Sequence, residues 1–237
     1  MARALGYSGR AMILLVSAIP DPADIAALAA RAAALEWRDG RATAGHQARA
    51  VKHNLQAAMN AAPARALAGE VQALLAAHPV LRAAARPRRW SNLIISKTRG
   101  GGHYGLHVDN AVMTAASGEP MRTDLSFTLF LNPPQDYDGG ELVIHSASGT
   151  EQIKGEAGEL VLYPSTSLHE VRPVTGGERI VCVGWIESMV ADGAAREILF
   201  DLENLRAALR TRLPGQAPEL LTLDKTIANL LRRWARL

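Results

Sequence analysis

From Trp90 to Trp185, apolar residues recur at every second position in short runs broken by glycine-bearing turns. Alternate side chains of an extended chain point to opposite faces, so this period reads as strands rather than helices. Leu125, Phe127, Leu129 and Leu131 alternate with Ser126, Thr128 and Phe130, which predicts a strand with one face in a core. Further strands are expected over residues 92–96, 141–145, 159–163, 168–174 and 179–185, with Asp136-Tyr-Asp-Gly-Gly140 as an intervening turn. Thr175-Gly-Gly-Glu178 reads as the loop of a hairpin joining the last two strands, with glycine available for positive φ. Short antiparallel strands separated by such turns predict a jelly roll.

The flanks change period. Asp21-Pro-Ala-Asp24 is a helix start, and an alanine-rich helix is expected over residues 25–35. A second helix over 63–77 carries Leu67, Val71, Leu74 and Leu75 on one stripe. After Ser188, the stripe Ile198, Leu199, Leu202, Leu205, Leu209 and Leu213 predicts a helix that Pro214-Gly215 ends, with helix again over 220–237. That stripe needs an apolar partner, either the outside of the barrel or the same segment of a second chain. The expected fold class is α+β, mainly β. Its parts are an N-terminal α/β support region over 12–89, a jelly-roll core over 90–190 and a C-terminal helical segment over 191–237. Residues 1–11 are expected to be an extension. The arginines ahead of the apolar run 11–19 loosely imitate a signal peptide, but Met12-Ile-Leu-Leu-Val16 reads better as a first buried strand.

Composition excludes several classes. With 48% hydrophobic and 21% charged residues, the 237-residue chain matches ordinary soluble globular proteins and is long enough to fold without disulfides. Its one cysteine, Cys182, lies in an apolar run, reads as a buried core thiol and fits a reducing compartment, so a cytoplasmic location is expected. The net charge of +3 is mildly basic. Arg86-Pro-Arg-Arg89 and Arg232-Arg233 carry no recognition motif and read as solvated surface, so no nucleic-acid partner is expected, although a basic rim would favour acidic substrates. No apolar run approaches the ~20 residues that cross a bilayer, so no membrane partner is expected.

Chemistry concentrates in one motif. His107-Val-Asp109 follows the glycine-rich turn Gly100-Gly-Gly-His-Tyr-Gly105, and His169 follows the strand-like run 158–164. Residues i and i+2 of an extended segment share a side, so His107 and Asp109 can grip one ion together. With His169 they make two imidazoles and one carboxylate, the set that occupies one face of a non-heme Fe(II) ion and leaves the other open. Arg179 stands ten residues past His169. Its planar fork suits the far carboxylate of a dicarboxylic co-substrate such as 2-oxoglutarate. If Val174 paired with Arg179 across the expected hairpin, His169 would lie about 17 Å from Arg179 along the ladder, a gap such a diacid could help to span. An isolated His-x-Asp is more often a surface histidine beside a turn aspartate; here the context of turn and strands favours the metal reading.

Beyond these, the segments Tyr104-Gly-Leu-His-Val-Asp-Asn-Ala111, Arg122-Thr-Asp-Leu125, Thr128-Leu-Phe-Leu-Asn132, Tyr137-Asp-Gly-Gly-Glu-Leu142, Leu162-Tyr-Pro-Ser165, Ser167-Leu-His169 and Val171-Arg-Pro-Val-Thr175, with Arg179, resemble the bacterial PKHD-type hydroxylases. These are 2-oxoglutarate/Fe(II) dioxygenases related to prolyl and lysyl hydroxylases. Ala44-Gly-His-Gln-Ala48, Val51-Lys-His-Asn-Leu-Gln56 and Asn229-Leu-Leu-Arg232 extend the resemblance from about residue 12 to residue 234. It implies a double-stranded β-helix core, Fe(2+) on His107, Asp109 and His169, and 2-oxoglutarate on Arg179. It also implies L-ascorbate as reductant and favours a homodimer. The implied reaction is hydroxylation of an unactivated C–H of a peptidyl residue, siderophore or other metabolite, with release of succinate and CO2. Thr98 departs from the pattern, since the family usually places an aromatic there, and it points to an altered pocket or a specialised substrate.

Other residues carry weaker readings. Tyr104 lines the co-substrate pocket or simply packs, and Asn110 supports the ligand loop. Arg122 and Asp124 read as a structural pair, His103 as loop surface, His145 as the polar face of a strand and Glu141 as a strand start. The competing function is a cupin-like metal-binding or sensor module without oxygenase activity, or a structural jelly roll with adventitious zinc. Neither needs a diacid clamp, so Arg179 argues against both.

Overall fold

The computed structural model describes residues 2–8, 11–43, 49–146 and 149–237, with side chains described from residue 12 onward except at 42–43 and in the gaps. The motif at residues 44–48 therefore lies outside the described residues.

Two antiparallel sheets face each other. The larger runs, in order, through strands Ala2–Ser8, Ala11–Ser17, Glu159–Pro164, Leu125–Phe130, Val174–Ser188, Ile94–Arg99, Leu55–Ala57 and Trp37–Asp39. The smaller orders Gly149–Ile153, Leu142–Ser146, Leu168–Val171, His103–His107 and Lys52–His53. This is the expected jelly roll. The helices Pro22–Ala33, Ala62–Ala77 and Pro79–Ala85 cover the outer face of the larger sheet. Leu28, Leu67, Val71 and Leu75 pack there against Leu14, Ile95, Phe127 and Leu129. A second cluster, including Phe130, Leu142, Ile144, Val161 and Val181, fills the space between the sheets at one end.

The Leu125–Phe130 strand refines the one-faced expectation, because all six of its residues are buried. Leu125, Phe127 and Leu129 meet the helices. The opposite face closes the barrel interior, where Ser126 and Thr128 line a cavity. A sheet buried on both faces has no polar side to show.

The hairpin over 175–178 does not form. Val174–Ser188 is one continuous strand of 15 residues. Its first residues pair with Tyr137–Gly139, and its remainder pairs with Ile94–Arg99 and Leu125–Phe130. His169 lies on the other sheet, beside His107 and Ile144. The chain crosses between sheets at Arg172-Pro173, so the ladder distance assumed for a hairpin does not apply. The glycines serve close approach instead: Gly177 has φ +66°, and a Cβ there would sit 2.0 Å from the Asp136 carbonyl oxygen.

Helices Gly193–Arg210 and Pro218–Trp234 pack on each other through Leu199 and Ile227, and Gly193–Arg210 also packs on the Pro79–Ala85 helix, where Arg86 Nη2 lies 2.6 Å from Glu203. The expected leucine stripe is offset. Ile198 and Leu205 are 47% and 49% exposed, while Ala195, Arg196, Leu199 and Phe200 are buried. Arg196 turns inward because its guanidinium caps the carbonyls of Val190 and Ala191 at 2.8 and 2.9 Å.

Candidate active site

The smaller sheet brings the expected triad together. His107 ends the His103–His107 strand, and its antiparallel partner is His169. Asp109 lies two residues past His107, as the i, i+2 argument requires. Ligand atoms of His107, Asp109 and His169 all fall within 4.8 Å of one another, which could hold one ion. His107 Nε2 is 3.9 Å from Asp109 Oδ1, and His169 Nε2 is 3.7 Å from Oδ2. These separations are too long for hydrogen bonds and short enough to share a cation.

Each imidazole is oriented by its own strand. His107 Nδ1 lies 2.8 Å from the Gly105 carbonyl oxygen, and His169 Nδ1 lies 3.0 Å from that of Ser167. Donation to those carbonyls puts the proton on Nδ1 and turns the lone pair of Nε2 towards the centre. Ser126 Oγ donates to Asp109 Oδ2 at 2.6 Å and is itself 2.7 Å from Ser165 Oγ. The donor set therefore fits a divalent transition ion and has its supporting shell in place.

Burial, then the neighbouring His169, depresses the His107 pKa to about 4, so its imidazole is neutral at physiological pH. Tyr104 stacks on that ring, with centroids 3.7 Å apart and planes inclined by 16°. Burial raises its phenol to about 12. Tyr163 meets His169 edge-on at 5.1 Å, and burial likewise raises it.

Arg179 projects from the larger sheet into the same cavity. It is 3% exposed, with its guanidinium 5.4 Å from the Phe130 ring centroid. Arg179 Nε and Nη2, like the Tyr137 hydroxyl, are buried without a hydrogen-bond partner among the described residues. Gly140 makes room for them, since a Cβ there would lie 3.0 Å from Arg179 Cδ and 3.1 Å from Tyr137 Cε2. Burial lowers the Arg179 pKa, while the phenols of Tyr137 and Tyr163 oppose that shift. A buried guanidinium stays charged and is costly to leave unpaired, so this end of the cavity is built for an anion.

The structure thus brings His107, Asp109, His169, Tyr104 and Arg179 around one cavity, with Asn110 and Thr98 on its wall. Thr98 is the ladder partner of Arg179. His103 lies outside, its ring 4.7 Å from that of His53, and His145 instead faces Thr150. Arg122 and Asp124 form the structural pair: Arg122 reaches Asp124 at 2.6 and 2.8 Å, and Asp124 Oδ2 accepts from the Ser188 amide at 2.8 Å. Sequence reasoning gave no role to Ser126, Ser165 or Tyr137. For Ser126 the signal was present, since a polar residue alternating with core leucines must face something that uses it.

Residues 93–187 match the 2OG-Fe(II) oxygenase superfamily, and residues 193–236 match the PKHD-type hydroxylase C-terminal domain. A PKHD-type hydroxylase of Hyphomonas neptunium is 51% identical over 201 residues, covering 85% of this chain and 89% of that protein. One from Teredinibacter turnerae is 43% identical over 225 residues, covering 95% and 100%. Among solved structures, a Pseudomonas putida prolyl-4-hydroxylase shares the fold with a TM-score of 0.51 at 21% identity, over 74% of this chain and 92% of that one. HygX from Streptomyces hygroscopicus, solved with nickel, 2-oxoglutarate and hygromycin B bound, matches at 0.52 and 12% identity, over 76% and 84%.

Proposed function

Since the chain belongs to the PKHD-type hydroxylases, a 2OG-Fe(II) oxygenase family, we propose that His107, Asp109 and His169 hold Fe(2+) and that Arg179 clamps the far carboxylate of 2-oxoglutarate. The observation that carries this reading is the buried Arg179 guanidinium, whose Nε and Nη2 find no hydrogen-bond acceptor among the described residues, in the cavity that the triad lines. The bound iron and 2-oxoglutarate together supply the activation of dioxygen, with succinate and CO2 as by-products and hydroxylation of an unactivated C–H as the outcome. The chain's own residues orient and exclude. Gly105 and Ser167 fix the imidazole tautomers, and Ser126 holds the Asp109 carboxylate. Arg179 and Tyr137 offer donors to an anion, and burial on both sheets keeps water from competing for them.

A peptidyl residue, a siderophore or another metabolite remains the proposed substrate range. L-ascorbate as reductant, a homodimer and a cytoplasmic location belong to the same proposal and rest on family membership. No helix among the described residues is long and apolar enough to cross a membrane.

The test is succinate formation from 2-oxoglutarate by anaerobically iron-loaded protein on admission of oxygen. Activity that vanishes in both Asp109→Ala and Arg179→Leu supports the assignment. A non-oxidative cupin-like or sensor module would bind the metal and form no succinate.

A further inference from the structure

The Val51-Lys-His-Asn-Leu-Gln56 segment passes from the Lys52–His53 strand of the smaller sheet to the Leu55–Ala57 strand of the larger. In the fold its residues 52, 54 and 56 share a face and line the metal cavity. Lys52 pairs with Tyr104 at the edge of the smaller sheet. It is only 5% exposed, and its Nζ lies 5.2 Å from the Tyr104 ring centroid. The Tyr104 ring in turn stacks on His107 at 3.7 Å. An ammonium is thus built into the wall one aromatic ring away from a metal-site imidazole. Asn54 donates to Ser96 Oγ at 2.7 Å, which ties this wall to the larger sheet.

A buried cation in a cleft marks a place where charge is used. Burial lowers the Lys52 pKa to about 8, with the Asp109 carboxylate opposing the shift, so the amine remains mostly protonated at neutral pH. The cavity therefore carries two cations from opposite sheets, Arg179 and Lys52.

We propose that Lys52 is a second carboxylate-binding residue of this cavity, reading an anionic group other than the one held by Arg179. It rests on the reading of the cavity as a metal and 2-oxoglutarate site. The carboxylate has two sources, the metal-proximal end of the co-substrate or the substrate to be hydroxylated. Lys52 offers a compact point charge that suits either.

The experiment uses full-length protein loaded with Ni(2+) and compares wild type, Lys52→Met, Lys52→Gln and Lys52→Arg by calorimetry. One arm titrates 2-oxoglutarate. The other titrates phenylacetate and its neutral isostere phenylacetamide onto protein saturated with 2-oxoglutarate. At least a tenfold loss in either arm for Lys52→Met or Lys52→Gln, partly restored in Lys52→Arg, with unchanged nickel stoichiometry, supports the proposal. Loss in the first arm assigns the group to the co-substrate. Loss of a wild-type preference for phenylacetate over the amide assigns it to the substrate. Neutral variants that match wild type in both arms overturn it, as does a loss of nickel, which would make Lys52 structural. Arg179→Leu, run alongside, separates the two readings: 2-oxoglutarate binding unaffected by that variant would reject the co-substrate clamp whatever Lys52 does.

Discussion

Ser126 and Asp109 are joined by a 2.6 Å hydrogen bond that reaches across the barrel, from the centre of the larger sheet to the carboxylate of the proposed metal site. The bond fixes which way the carboxylate faces before any ion arrives. Ser126→Ala should weaken divalent-ion binding by about tenfold, the low end for loss of an outer-shell partner, whereas Asp109→Ala should remove most of it. Metal titration by calorimetry checks both. Equal affinities for Ser126→Ala and wild type would show that the bond does not hold the ligand in place.

If Arg179 is the proposed carboxylate clamp, it should be a stability cost that ligand binding offsets. With Nε and Nη2 unpartnered, Arg179→Leu should raise the melting temperature of the ligand-free protein, by about 1–4 kcal/mol of stability if it behaves like other buried charges replaced by apolar residues. The same variant should raise the 2-oxoglutarate requirement by at least about thirtyfold, as expected when a desolvated charge pair loses one member. Arg179→Lys should recover only part, because the fork is gone. Thermal melts and a co-substrate KM series test the two halves separately.

The metal-free protein should weaken on mild acidification. An unfolded histidine titrates near 6.5, whereas His107 in the fold titrates at about 4, because burial and then His169 disfavour its charge. Between these values the unfolded chain binds more protons, so stability rises with pH. The His107 contribution is fully present above about pH 6.5 and is lost as the pH falls towards 4. Melting temperatures across that range should slope upward with pH, and His107→Gln should flatten the slope.

Helix Gly193–Arg210 offers a contrast between neighbours. Leu199 is fully buried and Ile198 is 47% exposed. Leu199→Ala should cost about 2–5 kcal/mol and Ile198→Ala well under 1. Urea unfolding of the two variants decides whether the observed face or the expected leucine stripe carries the packing.

Much of the architecture was legible where periodicity was long. Ala62–Ala77 matches the expected helix to within a residue and buries Leu67, Val71 and Leu75 of its stripe, though Leu74 is exposed, and the alternation at Leu125–Phe130 announced a central strand. The triad was legible because His107 and Asp109 are neighbours in one strand direction. The crossing at Pro173 was not, since two glycines after a strand signal a hairpin as well as they signal close backbone approach. Ser165 and Tyr137 were missed for a different reason. Their roles arise from contacts across the barrel, and no local pattern encodes which distant residue a side chain will meet.

The Val174–Ser188 strand has a consequence for how the protein is made. Among the described residues four other strands pair with it: Pro87–Trp90, Ile94–Arg99, Leu125–Phe130 and Tyr137–Gly139. All of these leave the ribosome first and must wait for a strand synthesised late. The fold is therefore dominated by contacts distant in sequence, which makes for slow acquisition and leaves apolar strand faces uncovered in the meantime. The arginine at the heart of the cavity rides on that same strand, so a nascent chain carries His107 and Asp109 well before it has a closed barrel to put them in.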